Sequence, residues 1–270
     1  MTTIDGPNRA TGNTASRGAA VVLGAGPGLG MAIARRFGRA GHPVAVVSRS
    51  NRRHPAYLRE LAAEGITAIA EVADVLDTER LKSVVTRIQN RLGPIELLYF
   101  GPAAMEPANL PVPIEKVTGS AVRDGFALVP AAADAVAAVL PGMLDRNRGT
   151  VLLPTGLSAV RPMPELGNLA ITSAAIRSYA LTLHAAVADR GVFVGSLVIG
   201  GGIRGGDIHA AMADPNNQVA GGGPDAGSST AGPDADLLAR MSLDPDRIAD
   251  RAYDLAEQRT DAELVFSVFD

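Results

Sequence analysis

Four glycines, Gly24, Gly26, Gly28 and Gly30, occupy alternate positions of LGAGPGLGMAIARRF, after an apolar run and ahead of a segment with helical spacing. A turn this tight needs positive φ. Without Cβ atoms the backbone also admits a pyrophosphate to a helix N-terminus, where unpaired N–H groups and the helix dipole favour an anion. Leu29 is part of the same loop, between the last two glycines. The next apolar run ends in Ser48-Arg49, with Arg52 and Arg53 close behind. An acidic residue there would take the hydroxyls of an adenosine ribose. A serine and arginines instead offer donors and positive charge to a 2′-phosphate, or form a solvated arginine surface.

The elements that must position these residues alternate along the chain. AAVVL (19–23), PVAVVS (43–48), ITAIAEV (66–72), IELLYF (95–100), GTVLLP (149–154), VFVGSLV (192–198) and ELVFSV (263–268) read as strands. Between them lie helix-period segments: Leu29, Ile33 and Phe37 up to a stop at Gly41; PAYLRELAAEG; a stripe of Leu81, Val84, Val85, Ile88 and Leu92 capped by Asp77 or Thr78; and an Ala/Val-rich stretch over 119–144. A further helix follows near 168, and Asp244-Pro245 caps the last one. This alternation predicts a doubly wound α/β fold with helices on both faces of a mostly parallel, seven-stranded sheet. Residues 18–270 are expected to form one domain after a disordered leader over 1–17. A flexible flap is expected at about 202–240, where DPNNQVAGGGPDAGSSTAGPDAD has a single large aliphatic residue, Val219, and is either a substrate lid or a surface insertion.

Composition removes several classes of function. The formal net charge is -3 and Lys and Arg form no run, so no nucleic-acid footprint is expected. The absence of cysteine excludes disulfides, thiolate metal sites and a cysteine nucleophile. His42, His54, His184 and His209 lack ligand spacing, so no metal is expected. No membrane span is expected either, and the polar N-terminus without an apolar core points to a cytoplasmic protein.

The spacing Gly24-x-x-x-Gly28-Leu29-Gly30 resembles the glycine loop of the short-chain dehydrogenase/reductase family. Other stretches resemble family marks in the same order: ADV at 73–75, LPGML at 140–144, GTVLL before the active-site strand, and SLVIGGGIR at 196–204. The resemblance runs over about 18–212 and 244–268. It implies a Rossmann-type fold, adenine contacts from Asp74 and Val75, a small-molecule substrate, and a homodimer or homotetramer through the helices near 119–144 and 168–190. Read with it, Ser48 and Arg49 point to NADP(H).

The resemblance also implies a catalytic Asn, Ser, Tyr and Lys, and here the sequence departs from it. Matching TSAAIRS to the family's helix puts Leu169 in the tyrosine place and Ser173 in the lysine place. Gly156, thirteen residues before Leu169, stands for the serine, and Leu128 for the asparagine. Composition points the same way without alignment. The residues four beyond Tyr57, Tyr99, Tyr179 and Tyr253 are Leu61, Ala103, Leu183 and Glu257, and the two lysines, Lys82 and Lys116, lie before the helix. Thr155 and Ser158 are possible substitutes for the serine. Glu165 is a possible acid or base, although a carboxylate in a first helical turn is ordinarily there for the dipole. Tyr99, ending the fourth strand, could stack on a ligand or belong to the core. His184 is expected to face a neighbouring helix or subunit, and Tyr179 to pack in the core or at an interface. Three functions stay open: hydride transfer to a conjugated or iminium acceptor, a redox-neutral cyclase or isomerase, and a non-catalytic scaffold.

Overall fold

A computed structural model describes residues 17–102, 111–213 and 239–269. Strands β1 (Ala19–Leu23), β2 (Val44–Ser48), β3 (Ala68–Val72), β4 (Ile95–Phe100), β5 (Gly149–Gly156), β6 (Val192–Gly200) and β9 (Glu263–Ser267) form one sheet in the order β3-β2-β1-β4-β5-β6-β9. Every neighbouring pair is parallel. The order reverses beside β1, between crossovers to β2 and to β4, and ligands of open α/β sheets bind outside the strand C-termini at such a point. A separate two-stranded ribbon pairs β7 (Gly202–Ile203) with β8 (Ser242–Leu243). Most of the expected leader, and residues 214–238 of the expected flap, lie outside the described residues.

Parallel strands buried on both faces need apolar side chains in both directions, and Ala19 to Leu23 are all fully buried. One face carries α3 (Thr78–Leu92), α5 (Leu128–Asp145) and α6 (Gly167–Val187); the other carries α1 (Leu29–Arg39), α2 (His54–Ala63) and α8 (Pro245–Gln258). Asp77 is the cap of α3, its carboxylate accepting the Arg80 amide at 3.0 Å. Such a cap contributes about 1 kcal/mol. Asp244 likewise caps α8, with Pro245 at its first position.

The stretch expected as one segment over 119–144 forms two helices, α4 (Gly119–Phe126) and α5, meeting at Ala127. Pro130 has no N–H to give the Phe126 carbonyl, which accounts for the break. By length and composition alone, an 18-residue window within Gly119–Asp145, of mean hydropathy 1.7, is apolar enough to cross a membrane. In the fold, Ala131, Ala132, Ala135, Val136, Val139 and Met143 turn this apolarity onto the sheet.

Opposite the strand C-termini, Arg17 ties the start of the chain to α8 and to His42. Its guanidinium donates to Glu257 at 2.8 Å and reaches His42 Nε2 at 3.3 Å, while His42 Nδ1 meets the Gly18 carbonyl at 2.7 Å. A guanidinium only donates, so Nε2 accepts, Nδ1–H donates to Gly18, and the ring is neutral. Burial lowers the His42 pKa from its ordinary value of 6.5; the Gly18 carbonyl, Glu96 and Glu257 act against that, and Arg17 adds to it. The unfolded ring therefore binds a proton more readily than the folded one. The stability this contributes is complete above about pH 6.5 and is lost as pH falls from there through the lowered folded value. The unfolding midpoint of the wild-type protein is expected to fall more between pH 7.5 and 5.5 than that of His42→Asn. Equal losses would show that this histidine does not carry the acid sensitivity.

Candidate functional site

The loop after β1 opens the candidate site. Gly24 has φ +77°, and a Cβ there would come within 2.5 Å of the Pro102 nitrogen, so a side chain is excluded both by conformation and by the chain end leaving β4. Around Gly26 the nearest atom to a Cβ would be the Gly24 carbonyl oxygen, at 4.0 Å. Helix α1 starts at Leu29 after an N-cap, Gly28, that has no side chain to satisfy the first amides. The Met31 amide donates to the Gly26 carbonyl at 3.1 Å and that of Ala32 to Gly28 at 3.2 Å, which leaves the Leu29 and Gly30 amides without an intrahelical acceptor. An open, uncapped helix N-terminus beside backbone without side chains fits a pyrophosphate.

At the end of β2, Ser48 is half-buried and its hydroxyl donates to the Ser50 carbonyl at 3.0 Å. The same oxygen lies 2.7 Å from His54 Nε2 and so accepts the imidazole N–H. With its hydrogen committed, Ser48 leaves donation to an anion to the arginines. Arg49, Arg52 and Arg53 are exposed around it. Arg53 donates through Nη1 and Nη2, each at 2.7 Å, to the two carboxylate oxygens of Asp207, the first residue of α7 (Asp207–Ala213). The guanidinium holds the Asp207 carboxyl below its ordinary range, against burial. Burial lowers the pKa of His54, and Glu71 opposes this. Asp74 is exposed and its carboxylate accepts the Leu76 amide in its own turn, while Val75 packs into the core.

The other end of the groove gathers residues from β5 and α6. The Thr155 hydroxyl donates to the Ser173 carbonyl at 2.9 Å, and the Gly156 amide donates to Ser173 Oγ at 3.3 Å. A Cβ on Gly156 would stand 3.1 Å from Ser173 Oγ and 3.4 Å from Ser158 Oγ. Thr155, Gly156, Ser158 and Ser173 thus form one cluster. Leu169 lies one turn before Ser173 on the same side of α6 and is half-buried. Gly125, near the end of α4, lies against Thr172, which brings the approach to Leu128 beside this turn. With the Thr155 hydrogen already given to the Ser173 carbonyl, the hydroxyls of Ser158 and Ser173 can orient or polarise a substrate oxygen. Their protons are too weakly acidic to be transferred readily at neutral pH.

Glu165 is exposed in a short 3-10 turn, Pro164–Leu166, that precedes α6. Tyr99 is only 2% exposed and belongs to the core against α1 and α8, so of the two readings of its position the core one describes it. Burial raises its pKa above the ordinary phenol range. His184 bonds the Val194 carbonyl at 3.0 Å and meets Phe193 edge-on, on its own sheet rather than across to another helix. Tyr179 is partly buried against the core on the opposite face of the sheet, that of α3, α5 and α6. Sequence reasoning missed His54 and Asp207. His54-Pro55 carried a helix-start signal, whereas Asp207 fell within the stretch read as a flap. No group of three or more His, Asp or Glu side chains able to hold a metal occurs among the described residues.

Residues 18–212 match the family model for short chain dehydrogenases. A short chain dehydrogenase of Pseudocercospora fijiensis is 31% identical over 180 residues, 64% of this chain and 56% of the relative. The dehydrogenase/reductase SDR family member 4 of Sus scrofa is 28% identical over 183 residues, 67% of this chain and 64% of that protein, so the match spans under two thirds of either relative. Among solved structures, a variant of the actinorhodin polyketide ketoreductase with NADPH superposes with a TM-score of 0.77 at 19% identity, over 93% of this chain and 95% of that one. A gluconate 5-dehydrogenase of Burkholderia cenocepacia in complex with NADP and tartrate gives 0.72 at 18% identity, over 93% and 94%. These structural likenesses agree with the doubly wound sheet, and with 195 of its residues inside the family model, the chain belongs to the short-chain dehydrogenase family.

Proposed function

We propose that this protein binds NADP(H) and transfers hydride between it and a small organic molecule without a tyrosine–lysine proton donor. The observation that carries the reading is the junction of β1 and α1, where Gly24 has positive φ, Gly26 borders open space and the helix start is uncapped. Arg49, Arg52 and Arg53 supply positive charge for a 2′-phosphate, and the similar structures named above hold NADP or NADPH. When bound, the nicotinamide supplies the hydride chemistry.

The chain's own residues set what kind of acceptor suits it. Leu128, Gly156, Leu169 and Ser173 stand where the family has Asn, Ser, Tyr and Lys. The hydroxyls of Ser158 and Ser173 orient the substrate, and Leu169 keeps its side of the pocket apolar. With no tuned acid among them, protons come from solvent. An iminium carbon needs no proton when it accepts hydride, and a conjugated carbonyl gives an enolate that water protonates. These are the substrate classes favoured.

The half-buried Leu169 beside a hydroxyl cluster also supports a second reading, a redox-neutral cyclase or isomerase that uses the pocket to position its substrate. Self-association accompanies either reading. The face of α4 and α5 has an apolar groove of about 300 Å³ lined by Val122, Arg123, Phe126, Ala127 and Pro130, and supports a homodimer or homotetramer.

Titration of the ligand-free protein with NADPH and NADH is expected to give tighter binding of NADPH; no binding of either at millimolar concentration would remove the redox reading. Arg49→Glu is expected to weaken NADPH by at least ~tenfold more than NADH, and equal weakening would remove Arg49 from the 2′-phosphate site. The triple variant Gly156→Ser, Leu169→Tyr, Ser173→Lys is expected to raise reduction of simple ketones by ~10²–10⁴, the usual worth of a positioned general acid. A folded variant that binds cofactor without this gain would place the missing residues elsewhere.

A further inference from the structure

The segment after β6 touches both the glycine loop and the arginine-bearing loop after β2. Near its start, a Cβ on Gly28 would lie 3.0 Å from Ile203 Cγ2 and 3.1 Å from Gly206 Cα. At its end, the Asp207 carboxylate takes both terminal nitrogens of Arg53 at 2.7 Å. Five residues, 203–207, therefore lay neutral backbone against the glycine loop and a carboxylate against the loop between β2 and α2. Tyr57 borders the same place: it is 5% exposed, its hydroxyl has no hydrogen-bond partner, and the Arg53 charge opposes the rise that burial imposes on its pKa.

We propose that Asp207 is a specificity-determining residue that occupies, on Arg53, the place of a cofactor 2′-phosphate. The inference rests on the reading that this groove binds NADP(H). The physical basis is competition for one fork. A carboxylate and a phosphate both engage a guanidinium through paired N–H donors, and the end-on pair, one N–H each of Nη1 and Nη2, holds one such partner at a time. NADP(H) must displace Asp207 to use this fork, and on the remaining Nε side its phosphate would meet the Asp207 charge, whereas NAD(H), which lacks the phosphate, leaves the pair intact. Asp207 thus lowers the protein's preference for the phosphorylated cofactor. The side chains of Arg53 and Asp207 are 51% and 60% exposed, so the pair is weak enough to open and its effect on affinity is moderate.

The test titrates NADPH and NADH, followed by nicotinamide fluorescence, into the full-length protein and into Asp207→Asn, Arg53→Gln and the double variant, with thermal unfolding recorded for each. Asp207→Asn is expected to tighten NADPH about two- to fivefold, leave NADH unchanged and keep the unfolding midpoint within a few degrees. In the Arg53→Gln background the same change is expected to have no effect on NADPH. Unchanged NADPH binding, equal shifts for both cofactors, or a gain that persists without Arg53 would each overturn the role of Asp207 while leaving the cofactor reading in place. Failure of all four proteins to bind either cofactor would overturn both.

Discussion

The turn at Gly24 is the constraint on which the ligand edge depends. Strand β1 lies between β2 and β4, and its backbone hydrogen bonds hold it in register with both, so the chain must leave the sheet where those strands also end. Pro102 stands so close that no side chain fits at Gly24, and a positive φ sends the backbone into α1 rather than onward. The direction of α1, and with it the aim of the Leu29 and Gly30 amides, follows from that one residue. Leu29, Ile33 and Phe37 then hold the helix against the sheet by burial. The loop itself, whose Ala25 is buried in the same core, is kept in place by the packing beneath it.

Charge is distributed unevenly along this edge. Arginines cluster where β2 ends, and the nearest carboxylates are engaged locally: Asp74 with its own turn, Glu71 with Arg87, and Asp207 with Arg53. The groove is therefore a place where positive charge is partly compensated from within. Such compensation costs the folded protein little, because exposed ion pairs contribute little. It matters more to an incoming anion, which meets in Arg53 a guanidinium that already has a partner.

The opposite end is governed by hydrogen bonds instead of charge. Ser173 fastens the last residue of β5 to α6 through Gly156, while Thr155 makes the reciprocal bond to the Ser173 carbonyl. These bonds hold strand and helix together at this point. Leu169, one turn earlier on α6, is half-buried beside them.

Much of this was legible in the sequence. Apolar alternation and turn residues placed all seven strands of the main sheet to within two residues at either end, because strands buried on both faces leave a continuous apolar signature. The caps at Asp77 and Asp244 were legible because capping is a local hydrogen bond. The absence of any Tyr-x-x-x-Lys needed only counting. Contacts between distant segments could not be read this way. Whether Tyr99 faced a ligand or the core depended on which helices cover β4, and α1 and α8 covered it. Ser48 seemed, as a residue, to be a free donor, and only the fold brought the His54 imidazole to it. Arg53 and Asp207 are 154 residues apart, and no spacing or periodicity links them. Composition and local pattern determined the sheet, its helices and the glycine turn between β1 and α1, since these follow from short-range burial and backbone sterics. Tertiary structure decided which polar groups remain available to a ligand, since that depends on partners far away in the chain.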